Sequence, residues 1–194
     1  HCTCRRQRQM CIRDSSGDVC QQAGNVVDAT MRTYREAMKG LLPTPSKSHY
    51  TFNLRDFSRV VQGVLLQAPS GEFANKSSVM RLWTHEALRV FGDRLTDDND
   101  RKWMCAHAAT MCKEIFRCDF QSEFEHIRPA EETKPGYGTL RRLFWGDYMT
   151  PADEDDRPYV EVRDLQLLQN RTEDSLAEFN QTSKKPMELV MFMF

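Results

Sequence analysis

The chain has 194 residues, 40% of them hydrophobic and 28% charged, which suffices for one sizeable core or two small ones and excludes a large multidomain enzyme. Twenty-seven Lys and Arg face 28 Asp and Glu, a formal charge of −1, so no overall basic field draws nucleic acid or an anionic membrane. Mean hydropathy is −0.64, and no apolar run approaches the roughly 20 residues that a membrane helix needs.

His1 rather than Met opens the sequence and an apolar run closes it at Phe194, which reads as a piece of a longer protein. Seven cysteines, with no apolar leader after the Arg-rich start, disfavour a disulfide framework and point to a reducing, intracellular setting. In that setting the glycosylation triplets at Asn75, Asn170 and Asn180 are chance matches. Residues 1–24 hold four arginines, four cysteines and almost no large aliphatic side chain. Such a composition supplies little core, and a disordered or non-native head is expected there.

From Asn25 onward Val27, Met31, Tyr34 and Met38 recur at helical spacing, with Gly40 as a natural stop. Pro43 and Pro45 force an extended link. A second helix is expected from Asn53, whose side chain can cap while Asp56 favours the positive helix start. Its inner face would be Phe57, Val60, Val61, Val64 and Leu65. Pro69 and Gly71 would end it, and a third helix begins near Ser77 or Ser78 with Val79, Leu82, Trp83, Ala87, Val90 and Phe91 inward. Asp97, Asp98 and Asp100 mark the acidic start of a fourth, running through Trp103, Met104, His107, Ala108, Met111 and Ile115 toward Phe120.

The expected fold class is therefore mainly α, with a small helical bundle over residues 25–126. Prolines and glycines between 127 and 138 take the chain out of it. Residues 143–149 and 157–162 then read as two short extended segments around an acidic loop. A helix from about Arg163 comes next, with Leu165, Leu168, Leu176 and Phe179 inward, and Pro186 opens another. Residues 127–194 thus form a connector and the start of a further unit.

Chemistry-bearing patterns are few. Cys105 and Cys112 share a helix face, but His107 points about 160° away from Cys105 by helix geometry, so a zinc site is disfavoured and the thiols read as small apolar side chains. His85-Glu86 resembles the start of a zinc-protease helix, yet position 89 is Arg where a second His is needed. No Gly-Lys pair occurs, so the phosphate loop is missing and no catalytic residue is assigned. Arginine remains. Arg55 and Arg59 lie one turn apart at the start of the second helix, where free backbone N–H groups and a guanidinium favour phosphate. The plain alternative is surface arginines paired with Asp56 or Glu86.

Four blocks, SKSHYTFNLRDFSRVVQGVLL (46–66), RLWTHEALRVFGDRLTDDNDR (81–101), FWGDYMTPADEDDRPYVEV (144–162) and KPMELVMF (185–192), resemble the dynein heavy chain, axonemal in type. The resemblance covers about residues 26–194 and falls where the third AAA+ module ends in its helical lid and passes into the fourth. It implies a piece of an ATP-driven, minus-end-directed microtubule motor. The lid would close over ATP or ADP with Mg held by an upstream subdomain, the piece alone binding no cofactor and catalysing nothing. Matched to NLRD, the phosphate-sensing arginine would be Arg55, with Arg59 a second candidate. The resemblance also implies neighbouring AAA+ modules, intermediate and light chains and microtubules as partners, and the axoneme of a cilium or flagellum as location. Neither nucleic acid nor membrane is implied. The competing reading is an autonomous helical adaptor that binds partners through exposed Trp and Phe.

Overall fold

The computed structural model describes residues 17–67, 75–149 and 157–188. Helix dominates: α1 (Gly17–Gly40), α2 (Leu54–Leu65), α3 (Lys76–Ala87), α4 (Asp98–Glu114), α5 (Phe120–Phe124), α6 (Tyr137–Leu140) and α7 (Leu165–Thr182). Two short strands, β1 (Phe144–Gly146) and β2 (Val160–Val162), pair antiparallel with Trp145 opposite Glu161. Helix α3 packs against α1, α2 and β1, so it lies at the centre. None of the described helices is long and apolar enough to cross a membrane.

The helix starts are set by local chemistry. Asn53 caps α2 by accepting the Arg55 N–H at 2.8 Å, and its own N–H donates to Asp56 at 3.0 Å, closing a capping box. Asn75 and Asp97 cap α3 and α4 in the same way, through the N–H groups of Ser77 and Asn99. After α3 the helix widens into one π turn, Leu88–Gly92, closed by the Asp93 N–H on the Leu88 carbonyl. Every apolar residue expected on the inner side of this third helix is buried, from Val79 to Phe91.

Three expectations need correction. Helix α1 begins at Gly17, not Asn25, because a helix already anchored by Val26 and Ala29 extends backward at little cost. Gln22 is buried, and its side chain accepts from Asn25 at 3.3 Å. Residues 1–16 of the expected head lie outside the described residues. The buried face of α1 is Val26, Ala29, Thr30, Thr33 and Ala37, whereas Val27 and Met38 are exposed. Small residues win there because Trp83 occupies the interface: its indole N–H donates to Thr30 Oγ1 at 3.0 Å and its ring packs 5.4 Å from Phe116. Helix α4 ends at Glu114, short of Phe120, where Arg117 takes a left-handed φ of 50°.

On α2, Val60 and Val64 are buried while Phe57 and Val61 are half-buried and Leu65 is exposed. On α7, Leu168 is buried but Phe179 is exposed. Pro69 and Gly71, the acidic loop and most of the helix expected after Pro186 lie outside the described residues.

A left-handed backbone costs an L side chain about 1 kcal/mol and costs glycine almost nothing. Arg117→Gly should therefore stabilise the chain by about 0.5–1 kcal/mol, read as a higher midpoint in thermal or urea melting.

Candidate functional site

The first two turns of α2 hold both arginines singled out from the sequence, and their surroundings differ. Arg55 is exposed, and its guanidinium makes no hydrogen bond or ion pair among the described residues. Arg59 lies 3.7 Å from the carboxylate of Asp56. Asp56 is buried to 1% exposure and is claimed from another side by Arg94, whose two terminal nitrogens reach its oxygens at 2.5 and 3.2 Å. Arg94 also donates to the Thr51 carbonyl and stands over the Phe52 ring. The same carboxylate thus closes the capping box and ties α2 to the segment after the π turn. The plain pairing with Asp56 holds for Arg59 and fails for Arg55, which leaves one uncommitted cation at a capped helix start.

Sequence reasoning missed Arg94, Tyr159, Arg81 and Glu161, and named Glu86 as a partner for Arg55 or Arg59 where its arginine is Arg89. Glu86 is fully buried on α3, accepting two bonds from Arg89 at 2.9 and 2.5 Å and one from the Tyr159 hydroxyl at 2.8 Å. Burial and this adjacent carboxylate push the Tyr159 phenol up, which keeps it a donor. One and a half turns earlier on α3, Arg81 donates to Glu123 at 3.0 Å and to Glu161 of β2 at 3.2 Å. The readable signal was Glu86 itself, a charge three residues after Trp83 on an apolar face.

A cavity of about 340 Å³ opens between the π turn, α6 and the strands, lined among others by His85, Arg89, Asp93, Tyr137, Trp145 and Tyr159. It lies apart from the α2 start. His85 donates through Nδ1 to the Leu143 carbonyl at 3.0 Å, and burial lowers its pKa. His107 is likewise lowered by burial, stacked on Trp103 and 3.1 Å from Thr33. Burial pushes Cys112 up to about 12 and Cys105 up to about 11, so both are inert thiols at neutral pH. Among the described residues no group of three or more His, Cys, Asp or Glu is placed to hold a metal ion. All three tryptophans are buried or half-buried, while Phe179 is exposed.

The described residues thus form a helical bundle with a cationic, capped helix start at α2. Residues 9–101 match the dynein heavy chain ATPase lid domain. Human dynein axonemal heavy chain 12 is 45% identical over 170 residues, and human dynein axonemal heavy chain 3 is 44% identical over 169 residues. Human dynein axonemal heavy chain 6 is 34% identical over 182 residues. The aligned stretches are 87%, 87% and 93% of this chain and 5%, 4% and 4% of the respective relatives. The chain belongs to the dynein heavy chain family and spans about one-twentieth of the length of these relatives. The family match begins at residue 9, inside the segment expected to be a head.

This geometry makes the two arginines separable by mutation. Arg94→Met strands the buried Asp56 carboxylate and should cost about 3 kcal/mol in urea melting, while Arg55→Ala should change stability by less than about 0.5 kcal/mol. Equal losses in the two variants would contradict the assignment. The buried histidines make stability depend on pH. The folded pKa values of His85 and His107 lie below the ordinary 6.5, so the unfolded chain takes up protons first. Stability is full above the unfolded value and falls as pH drops through it toward the folded values. The melting midpoint should decline between about pH 7.5 and 5.5, and less steeply in a His85→Gln, His107→Gln double variant.

Proposed function

We propose that residues 25–126 are the lid of the third AAA+ module of a dynein motor, that residues 127–194 lead into the fourth, and that Arg55 senses nucleotide phosphate. The observation that carries this reading is the Arg55 side chain, exposed and unpaired among the described residues at a capped helix start within the segment matched to the ATPase lid domain. In the parent chain the upstream subdomain supplies ATP or ADP and Mg, the lid closes over them, and Arg55 adds a charged bond to phosphate on closure. Arg59 is the weaker candidate because Asp56 holds it.

This reading places the chain in an axonemal motor, as the names of its relatives suggest, with neighbouring modules, intermediate and light chains and microtubules as partners. It also gives the exposed apolar residues of α7, Leu167 and Phe179, a cover in the next module. Alone, the chain should hydrolyse no ATP, since it has neither a phosphate loop nor a lysine to cradle the phosphates.

The test uses a longer piece of the parent that includes the upstream subdomain. Arg55→Ala should weaken nucleotide retention there by about 1.5–3 kcal/mol, roughly 10- to 150-fold, with unchanged melting. Retention equal to the parent's, or ATP turnover by the 194-residue chain itself, would overturn the assignment.

A further inference from the structure

Glu86 stands where three parts of the molecule meet, and each of its oxygens has its own neighbours. Oε2 takes both bonds from Arg89, while Oε1 takes the Tyr159 hydroxyl just before β2. Gly63, on the buried face of α2, faces this same carboxylate, and a Cβ placed there would overlap Oε2 and the carboxyl carbon. The missing side chain at position 63 is thus what lets a carboxylate of α3 press directly against the backbone of α2. A second contact holds the strand in the reverse sense. On α3 the donor is Arg81 and the acceptor Glu86, whereas on the strand side the donor is Tyr159 and the acceptor Glu161. Residues 159 and 161, two apart, share one face of the strand, and this crossed arrangement fixes a single register against α3.

We propose that Glu86 is a positioning residue that couples α2 to the strand pair: displacement of α2 at Gly63 moves the carboxylate and breaks its bond to Tyr159. The Glu86 carboxylate is fully buried, so its bond to Tyr159 tolerates little movement before the hydroxyl loses its acceptor. Arg89 stays with the carboxylate because it bonds the oxygen that faces α2. The proposal deepens the lid reading, resting on it only for the claim that α2 shifts when nucleotide changes.

The experiment is a double-mutant cycle on the 194-residue chain, read by amide hydrogen exchange. Gly63→Ala should speed exchange of the β1 and β2 amides by about tenfold while the α4 amides keep their protection, and Tyr159→Phe alone should do the same. In the double variant the second change should add almost nothing, because both remove one bond. Effects that multiply, or strand amides unchanged in Tyr159→Phe, would overturn the coupling. If Gly63→Ala loosens all helices together, Glu86→Gln replaces it: the amide keeps the volume, weakens the Tyr159 bond, and should raise strand exchange without further loss on adding Tyr159→Phe. A multiplied effect in that cycle overturns the proposal as well. Arg55→Ala tests the lid reading separately, since it touches neither Gly63 nor Glu86, and its failure leaves the cycle's outcome intact.

Discussion

Helix α3 is buried on nearly every side, and that constraint organises the rest of the molecule. Eight of its twelve residues are buried, including Ser78, Thr84 and Glu86. The buried polar groups of this helix cannot turn to water, so each needs an internal partner. Thr84 bonds back to the Met80 carbonyl, Trp83 finds Thr30 on α1, and Glu86 collects Arg89 and Tyr159. Arg81, near the start of the same helix, gathers Glu123 and Glu161. The short strands owe their place to these demands, because a three-residue pair has little stability of its own. His85 adds a third tie through Leu143, just before β1.

The beginning of α2 is arranged differently. There the buried Asp56 is satisfied three times over, by a backbone N–H, by Arg94 and more distantly by Arg59. Arg55 is the cation left over. An exposed charge with no internal partner among the described residues adds little to stability. The geometry separates the two arginines: Asp56 holds Arg59 and leaves Arg55 exposed.

The features legible in the sequence were local. Asn53 with Asp56, and Asp97 with its acidic neighbours, announce helix starts because a cap acts within three residues of itself. The inner side of α3 was equally plain, since large apolar residues at helical spacing have no competing explanation there. The face of α1 was misread because Val27 and Met38 outweigh Ala29 and Thr33 in hydrophobicity, while contact with Trp83 selects by size. The meeting of Glu86 with Tyr159 and Gly63 was not legible: it depends on segments 73 and 23 residues away in the chain, which periodicity does not encode. For Arg55 the position was legible and its freedom was not, because only the fold reveals which arginine Asp56 takes.

The π turn at Leu88–Gly92 also sets a constraint on chain length. It stores an extra residue between α3 and the segment that carries Arg94, so the direction in which Arg94 leaves the bundle is set by residue count as well as by side-chain identity. Removing any single residue from that turn would restore ordinary helix winding and rotate the downstream segment by about 100°. Arg94 would then face away from Asp56. One-residue deletions between 88 and 92 would accordingly unseat the capped start of α2 from a distance.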